Sequence, residues 1–238
     1  MPYELYYWPT IQGRGEFVRL ALEEVAQEYA DIARQSGKGR GVPALMRFLS
    51  RRDLERPPFA PPILKAGRLV IGQTANILLF LGERHGLAPA DEAGRYWTHQ
   101  LQLTISDFLV EVHDIHHPIA GGLYYEEQKK EAQRRAADFR ENRLPKFLGY
   151  FDRVLGTSRW LTGNRFAYVD LSVFQIIAGL QFALPNASAK SLRRRKRLLD
   201  LHHRVQDRPR IAAYLASPRR IPFNNQGIFR HYPELDAQ

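Results

Sequence analysis

The chain has 238 residues, of which 44% are hydrophobic and 25% charged, and it carries a formal net charge of +10. That length suits one large domain or two modest ones, and the composition excludes a disordered chain. Cysteine is absent, which excludes disulfides, thiolate metal sites and a cysteine nucleophile, so any thiol chemistry must arrive with a ligand.

Residues 3–8 are rich in aromatics and read as a short buried strand. Pro9 and Gly13 punctuate a turn, after which residues 14–29 become helical, with Phe17, Leu20, Ala21 and Val25 on one face and Glu16, Glu23 and Glu24 off it. Residues 30–61 are irregular and hold at most one short helix, near 43–50. Two short strands fit at 62–65 and 68–71, joined by Ala66 and Gly67. Thr74 is placed to cap a helix bearing Ile77, Leu78 and Leu81 that ends at Gly86. A small mixed sheet packed against helices accommodates that order.

Past a linker at 87–91 the strand signals stop. Helical patterns run through 92–118, 126–155, 170–183 and 190–205, interrupted at Pro118, Gly121, Gly122, Gly156 and Gly163. No apolar run approaches the roughly 20 residues that cross a bilayer. Residues 1–8 carry neither a basic leader nor an apolar signal core. A cytoplasmic protein with no membrane partner is expected.

Four segments resemble the tyrosine-type cytosolic glutathione S-transferases (the pi, mu, alpha and sigma classes). Tyr3-Glu-Leu-Tyr-Tyr-Trp-Pro followed by Gln12-Gly-Arg-Gly-Glu-Phe-Val-Arg19 is similar to their first strand and turn. Pro62-Ile-Leu-Lys-Ala-Gly67 with Leu69-Val-Ile-Gly-Gln-Thr-Ala-Asn-Ile-Leu78 looks like their hairpin and the Gln-Ser/Thr pair opening the next helix. Leu161-Thr-Gly-Asn-Arg-Phe-Ala-Tyr-Val-Asp170-Leu and Arg208-Pro-Arg-Ile-Ala-Ala-Tyr-Leu215 are similar to landmarks of their helical domain. The resemblance implies two domains: residues 1–86, thioredoxin-like with a mixed four-stranded sheet, and residues 92–238, all-helical. It also implies a homodimer, and a bacterial source is expected.

By that resemblance Tyr7 is the catalytic residue. A glutathione thiol has an unperturbed pKa of about 8.5, and a hydroxyl donating to the sulfur favours the thiolate. Gln73 and Thr74 open a helix whose free N–H groups and positive dipole end suit the γ-glutamyl carboxylate. Pro62 matches the family's cis-proline position, and Pro61, which precedes it, has no N–H to lend glutathione. Arg14 and a partner subunit's Asp107, from Thr104-Ile-Ser-Asp-Phe-Leu109, complete the expected glutathione contacts. The glycine carboxylate has no clear ligand; Lys38, Arg40 and Arg51 are candidates.

A hydrophobic electrophile is expected between the domains, against Trp8, Thr10, Ile11, His113, His117, Tyr124, Phe223 and Phe229. The tail 221–232 reads either as a lid or as a strap over the helices. The same scaffold also admits glutathione-dependent isomerase, thioether or ether lyase, dehalogenase or peroxidase chemistry, or a non-catalytic ligand-binding homologue.

Three further signals are read as structural. His113, His116 and His117 stand at i, i+3 and i+4, but Pro118 follows at once and no carboxylate-histidine motif completes a site, so no metal is expected. The run Arg193-Arg-Arg-Lys-Arg197 lacks aromatic interleaving, so it reads as a solvated helix face and no nucleic acid is expected. Ala167 stands where a Ser or Thr would cap the helix leading into Asp170, a loss of about 1 kcal/mol unless another group supplies the cap.

Overall fold

The computed structural model describes residues 2–236. Strand β1 (Tyr3–Tyr6) leads into helix α1 (Gly15–Glu24), strand β2 (Tyr29–Asp31) and helix α2 (Gly41–Leu49). Strands β3 (Ile63–Ala66) and β4 (Leu69–Gly72) form a hairpin, and α3 (Thr74–His85) follows. The sheet order is β2-β1-β3-β4, with β1 parallel to β2 and antiparallel to β3. Leu5 and Leu64 pair across the sheet and face α1 and α3, whereas Tyr6 and Ile63 point to the other layer and meet Leu45 and Phe48 of α2.

One expectation is corrected here. The helical reading through residue 29 overran α1, because Ala26 turns the chain at φ 51° and frees residues 29–31 to pair with β1. That strand is only three residues long, too short to show an alternating pattern. The polar face of α1 is buried as well: Glu16, Glu23 and Glu24 are all inaccessible or nearly so, because the sheet covers one side of the helix and the second half of the chain covers the other.

Helix α3 ends at Gly86 in the left-handed conformation, φ 72°. A helical region follows: α4 (Glu92–Asp114), α5 (Lys129–Asp138), a π-turn over Phe139–Arg143, α6 (Leu144–Leu155), α7 (Tyr168–Ala183), α8 (Pro185–Arg193), α9 (Lys196–Gln206) and α10 (Pro209–Leu215). Helix α7 is the apolar centre, with Leu171, Phe174, Ile177 and Leu180 all buried. No helix among the described residues is long and apolar enough to cross a membrane.

The missing cap at Ala167 is supplied from the other direction. The buried Asp170 carboxylate accepts the Ala167 N–H at 2.8 Å and the Leu161 N–H at 2.9 Å, satisfying one donor at the helix start and one in the preceding loop. Burial pushes this carboxyl up to about 7 against the opposing pull of those two N–H groups, Arg204 and Arg208.

The tail 221–236 is a strap. Ile221, Ile228, Phe229 and Leu235 are buried, and the Phe229 ring lies so close over Gly179 of α7 that a Cβ there would fall 2.4 Å from it. The basic run is part of the same framework. Arg195 donates to the carbonyls of Ser191 and Pro145, at 2.6 and 2.9 Å, and Arg197 pairs with Asp152 at 2.7 Å.

Candidate active site

Tyr7 follows the last residue of β1, and its side chain turns toward α1, opposite to Tyr6. It is 4% exposed. Its hydroxyl oxygen accepts the backbone N–H of Arg14 at 2.8 Å. The turn can approach so closely because it lacks side-chain atoms: a Cβ on Gly13 would lie 2.1 Å from the Tyr7 oxygen, and one on Gly15 2.5 Å from its Cγ. The Arg19 guanidinium carbon lies 5.7 Å from the ring centroid. Burial raises the phenol pKa, opposed by the Arg14 N–H and the charges of Arg14 and Arg19. The phenol is therefore protonated at neutral pH, and no described residue accepts its proton.

The same residue, Arg14, reaches the start of α3. Its carbonyl accepts the Thr74 hydroxyl at 3.4 Å. Thr74 is thus inside the helix rather than its cap; Gln73 is the capping position, held at φ 67°, ψ 123°, with no side-chain cap bond. A positive φ on a residue with a side chain costs of order 1–3 kcal/mol and collects at functional sites. Arg14, Gln73, Thr74, Ala75 and Asn76 line a cavity of about 360 Å³, whose opposite wall is α4 through His99, Leu103, Ser106 and Val110. The α4 wall escaped the sequence reading. Its signal was Tyr96, Leu103 and Val110 recurring every seven residues as exposed apolar side chains.

The remaining glutathione candidates divide. The Pro61–Pro62 peptide is cis, and Pro62 leads directly into β3. Asp107 is exposed on α4 and does not line the cavity of its own chain. Lys38 is exposed, and Arg40 acts by charge on Glu4 and Tyr6; neither lines the cavity. Arg51 is taken by Asp53 at 2.7 Å.

Of the expected electrophile walls, the turn 8–12 and the end of α4 come together with the tail. Trp8 is 37% exposed. The Thr10 carbonyl accepts from Asn224 at 2.8 Å, and a Cβ on Gly227 would sit 3.9 Å from Ile11. His113 feels the charges of both Arg14 and Arg230. Tyr124 departs from the expectation: it is 77% exposed because its role is to start a short turn, where its N–H donates to Glu127 at 2.6 Å. Phe229 is core rather than wall, and Phe223 is half-buried, stacked on Phe182 with centroids 5.2 Å apart.

The turn is tied to the helices by buried polar groups. Gln12 donates to the Ile221 carbonyl and accepts from Gln175 at 2.7 Å, and Arg220 reaches Gln175 at 2.9 Å while also pairing with Glu16. Glu16 further accepts from Tyr214 at 2.7 Å and Arg19 at 3.3 Å. Buried charges persist only when paired in this way.

Comparison with known proteins bears on both halves of the chain. Residues 113–218 match the family model for the glutathione S-transferase C-terminal domain. The chain is 25% identical to glutathione S-transferase Mu 6 of Mus musculus over 224 residues, covering 93% of this chain and 94% of the mouse protein. It is 24% identical to a glutathione S-transferase of Plasmodium falciparum over 194 residues, covering 77% and 82%. The fold matches the solved pi-class glutathione S-transferase of Onchocerca volvulus with a TM-score of 0.69 at 21% identity, covering 90% and 92% of the two chains.

Proposed function

We propose, from the match of residues 113–218 to the glutathione S-transferase C-terminal domain and the similarity to curated glutathione S-transferases along most of the chain, that this chain is a glutathione transferase in which Tyr7 holds the glutathione thiolate for attack on a hydrophobic electrophile. Residues 1–86 bind glutathione, residues 92–238 supply most of the electrophile's surroundings, and the protein works in the cytoplasm. The observation that carries the reading is the buried Tyr7 hydroxyl. Its oxygen accepts the Arg14 N–H, so its proton is directed outward as a donor.

The chemistry follows from that donor. The γ-glutamyl carboxylate lies at the start of α3, taking the free N–H groups there, with the Thr74 hydroxyl turning to it from the Arg14 carbonyl and with Gln73 and Arg14 beside it. The tripeptide then runs along β3 past Pro62 and Pro61, and Pro61 offers a carbonyl only. The thiol loses its proton to solvent, and the Tyr7 O–H donates to the sulfur anion without itself ionising. The thiolate attacks the electrophilic carbon; the S–C bond forms and the leaving group departs with its electron pair. Trp8, Thr10, Ile11, His113 and His117 position that carbon, so much of the rate comes from orientation.

The active form is a homodimer joined along α4. Tyr96, Leu103 and Val110 form an exposed apolar row there, 69%, 49% and 48% accessible, and the row borders the cavity next to Gln73 and Thr74. In that assembly Asp107 of the partner subunit reaches the γ-glutamyl amine. The test is a titration of glutathione into the wild-type protein and Tyr7→Phe, following thiolate absorbance against pH. A depressed thiol pKa that rises in the variant supports the reading; no glutathione binding by the wild type overturns it.

A further inference from the structure

We propose that His113, His116 and His117 form a three-imidazole site for one zinc-class divalent ion, at the wall of the electrophile pocket that His113 and His117 also line. The three rings are mutually adjacent, with centroids 5.0, 5.0 and 4.8 Å apart. Tetrahedral zinc holds nitrogen at about 2.0–2.1 Å, and an imidazole centre lies about 1.1 Å behind its ligating nitrogen, so three ligands on one ion place ring centres about 5 Å apart. The observed triangle has that size. The ligating atoms already lie within 4.8 Å of one another, and ring rotation brings them to the roughly 3.3 Å that tetrahedral coordination needs.

Local backbone geometry creates the cluster. Helix α4 stops at Asp114, and the N–H groups of both His116 and His117 bond back to the His113 carbonyl at 3.2 Å. These are the bonds of a last helical turn, in which residues three and four apart are neighbours, so the two later imidazoles lie beside the first. Pro118, read from sequence as an argument against a site, enforces this turn.

An outer hydrogen bond fixes which nitrogen of His116 is free. His116 is fully buried, and its Nε2 lies 2.8 Å from the Ile228 carbonyl. A carbonyl only accepts, so Nε2 carries the proton and Nδ1 carries a lone pair. That Nδ1 has no partner, an anomaly for a polar atom in a protein interior. Around His117, the Gln128 amide nitrogen lies within hydrogen-bond distance of the Ala120 and Leu123 carbonyls and 3.1 Å from the ring's Nδ1, and the ring also hydrogen-bonds to the Leu123 backbone. Metal-binding histidines characteristically donate their second ring N–H to a carbonyl, as His116 does to Ile228, fixing tautomer and orientation.

Three imidazoles select zinc, cobalt, nickel or copper over magnesium or calcium. No Asp or Glu joins the group among the described residues, so a fourth position remains for water or an exogenous ligand. Arg14 and Arg230 act on His113 by charge. Their field weakens the hold on a bare dication and favours an anionic fourth ligand.

The experiment uses tag-free, full-length, chelator-treated protein titrated with cobalt(II), read by visible d–d absorption. The expected result is intense bands that saturate at one cobalt per chain and disappear on adding zinc. They should be lost in His113→Ala and His117→Ala and retained in His203→Ala, an exposed histidine on α9. Absence of saturable bands in the wild type, or bands unchanged in both cluster variants, overturns the site. Should a variant fail to fold, X-ray absorption of the cobalt-loaded wild type decides. Three imidazole shells near about 2.0–2.1 Å support the site, and an oxygen-only shell overturns it. Neither readout depends on transferase activity.

Discussion

The Arg14 backbone N–H donates to the Tyr7 hydroxyl across 2.8 Å, and the Arg14 carbonyl accepts the Thr74 hydroxyl on its other side. One residue's main chain thus couples the group proposed to meet sulfur to the helix start proposed to meet carboxylate.

Tyr7→Phe removes the donor and leaves the Arg14 N–H without an acceptor. The pKa of bound glutathione should return toward about 8.5, and kcat/KM should fall about 100-fold, the usual effect of losing one preorganised donor. Glutathione affinity should change little. Thiolate absorbance and initial rates across pH check both numbers.

Gln73 carries a positive φ without being glycine. Gln73→Gly should relieve that strain and stabilise the protein by about 1 kcal/mol, while weakening glutathione binding about tenfold through loss of the side chain. Denaturant unfolding and calorimetric titration measure the two effects separately. A variant both less stable and unaltered in affinity contradicts the assignment.

Asp170 makes a pH-dependent contribution. Its folded pKa, near 7, exceeds the unfolded value of about 3.9, so between these the folded chain holds the extra proton. That stability is full below the unfolded pKa and is lost as pH rises through the folded one. Asp170→Asn turns an amide donor toward one of two backbone N–H groups and should cost about 3 kcal/mol. Because asparagine does not titrate, the variant's deficit should shrink as pH rises from 5 to 7.5, by up to about 1.4 kcal/mol per unit. Chemical unfolding of both proteins across that range tests the slope.

Glu16 is inaccessible and faces Arg19, Arg220 and Tyr214. Glu16→Gln removes the only carboxylate that Arg220 meets among the described residues, leaving a nearly buried cation unpaired. A loss of about 3 kcal/mol is expected, with faster proteolysis of the 217–236 tail. Retained stability in thermal melts would count against a role for this cluster in joining the two halves.

Leu103→Glu combined with Val110→Glu places charges on the exposed row of α4. Sedimentation velocity should show monomers in place of dimers. Glutathione binding should weaken with it if Asp107 of the partner subunit completes the site.

The aromatic first strand, the glycine-flanked turn, the hairpin around Gly67 and the helix stop at Gly86 were legible because each rests on local stereochemistry. The same holds for the long periodic stretches that became α4 and α7. Strand β2 was illegible: three residues carry no period, and only the neighbouring β1 makes them a strand. The tail's two readings were likewise undecidable from Phe223 and Phe229 alone, since either needs aromatics. What chose the strap was Gly179, 50 residues away, offering a bare helix surface for the Phe229 ring.

By itself, the sequence determined the chemistry available: no cysteine, a tyrosine at a strand end, and a Gln-Thr pair opening a helix. It could do so because those properties belong to residue types and their near neighbours. Only the tertiary structure decided how buried carboxylates on α1 are neutralised and which aromatic is wall and which is core. Those outcomes depend on groups far apart in sequence meeting at distances of a few ångströms, and charge pairing and packing both act at that range.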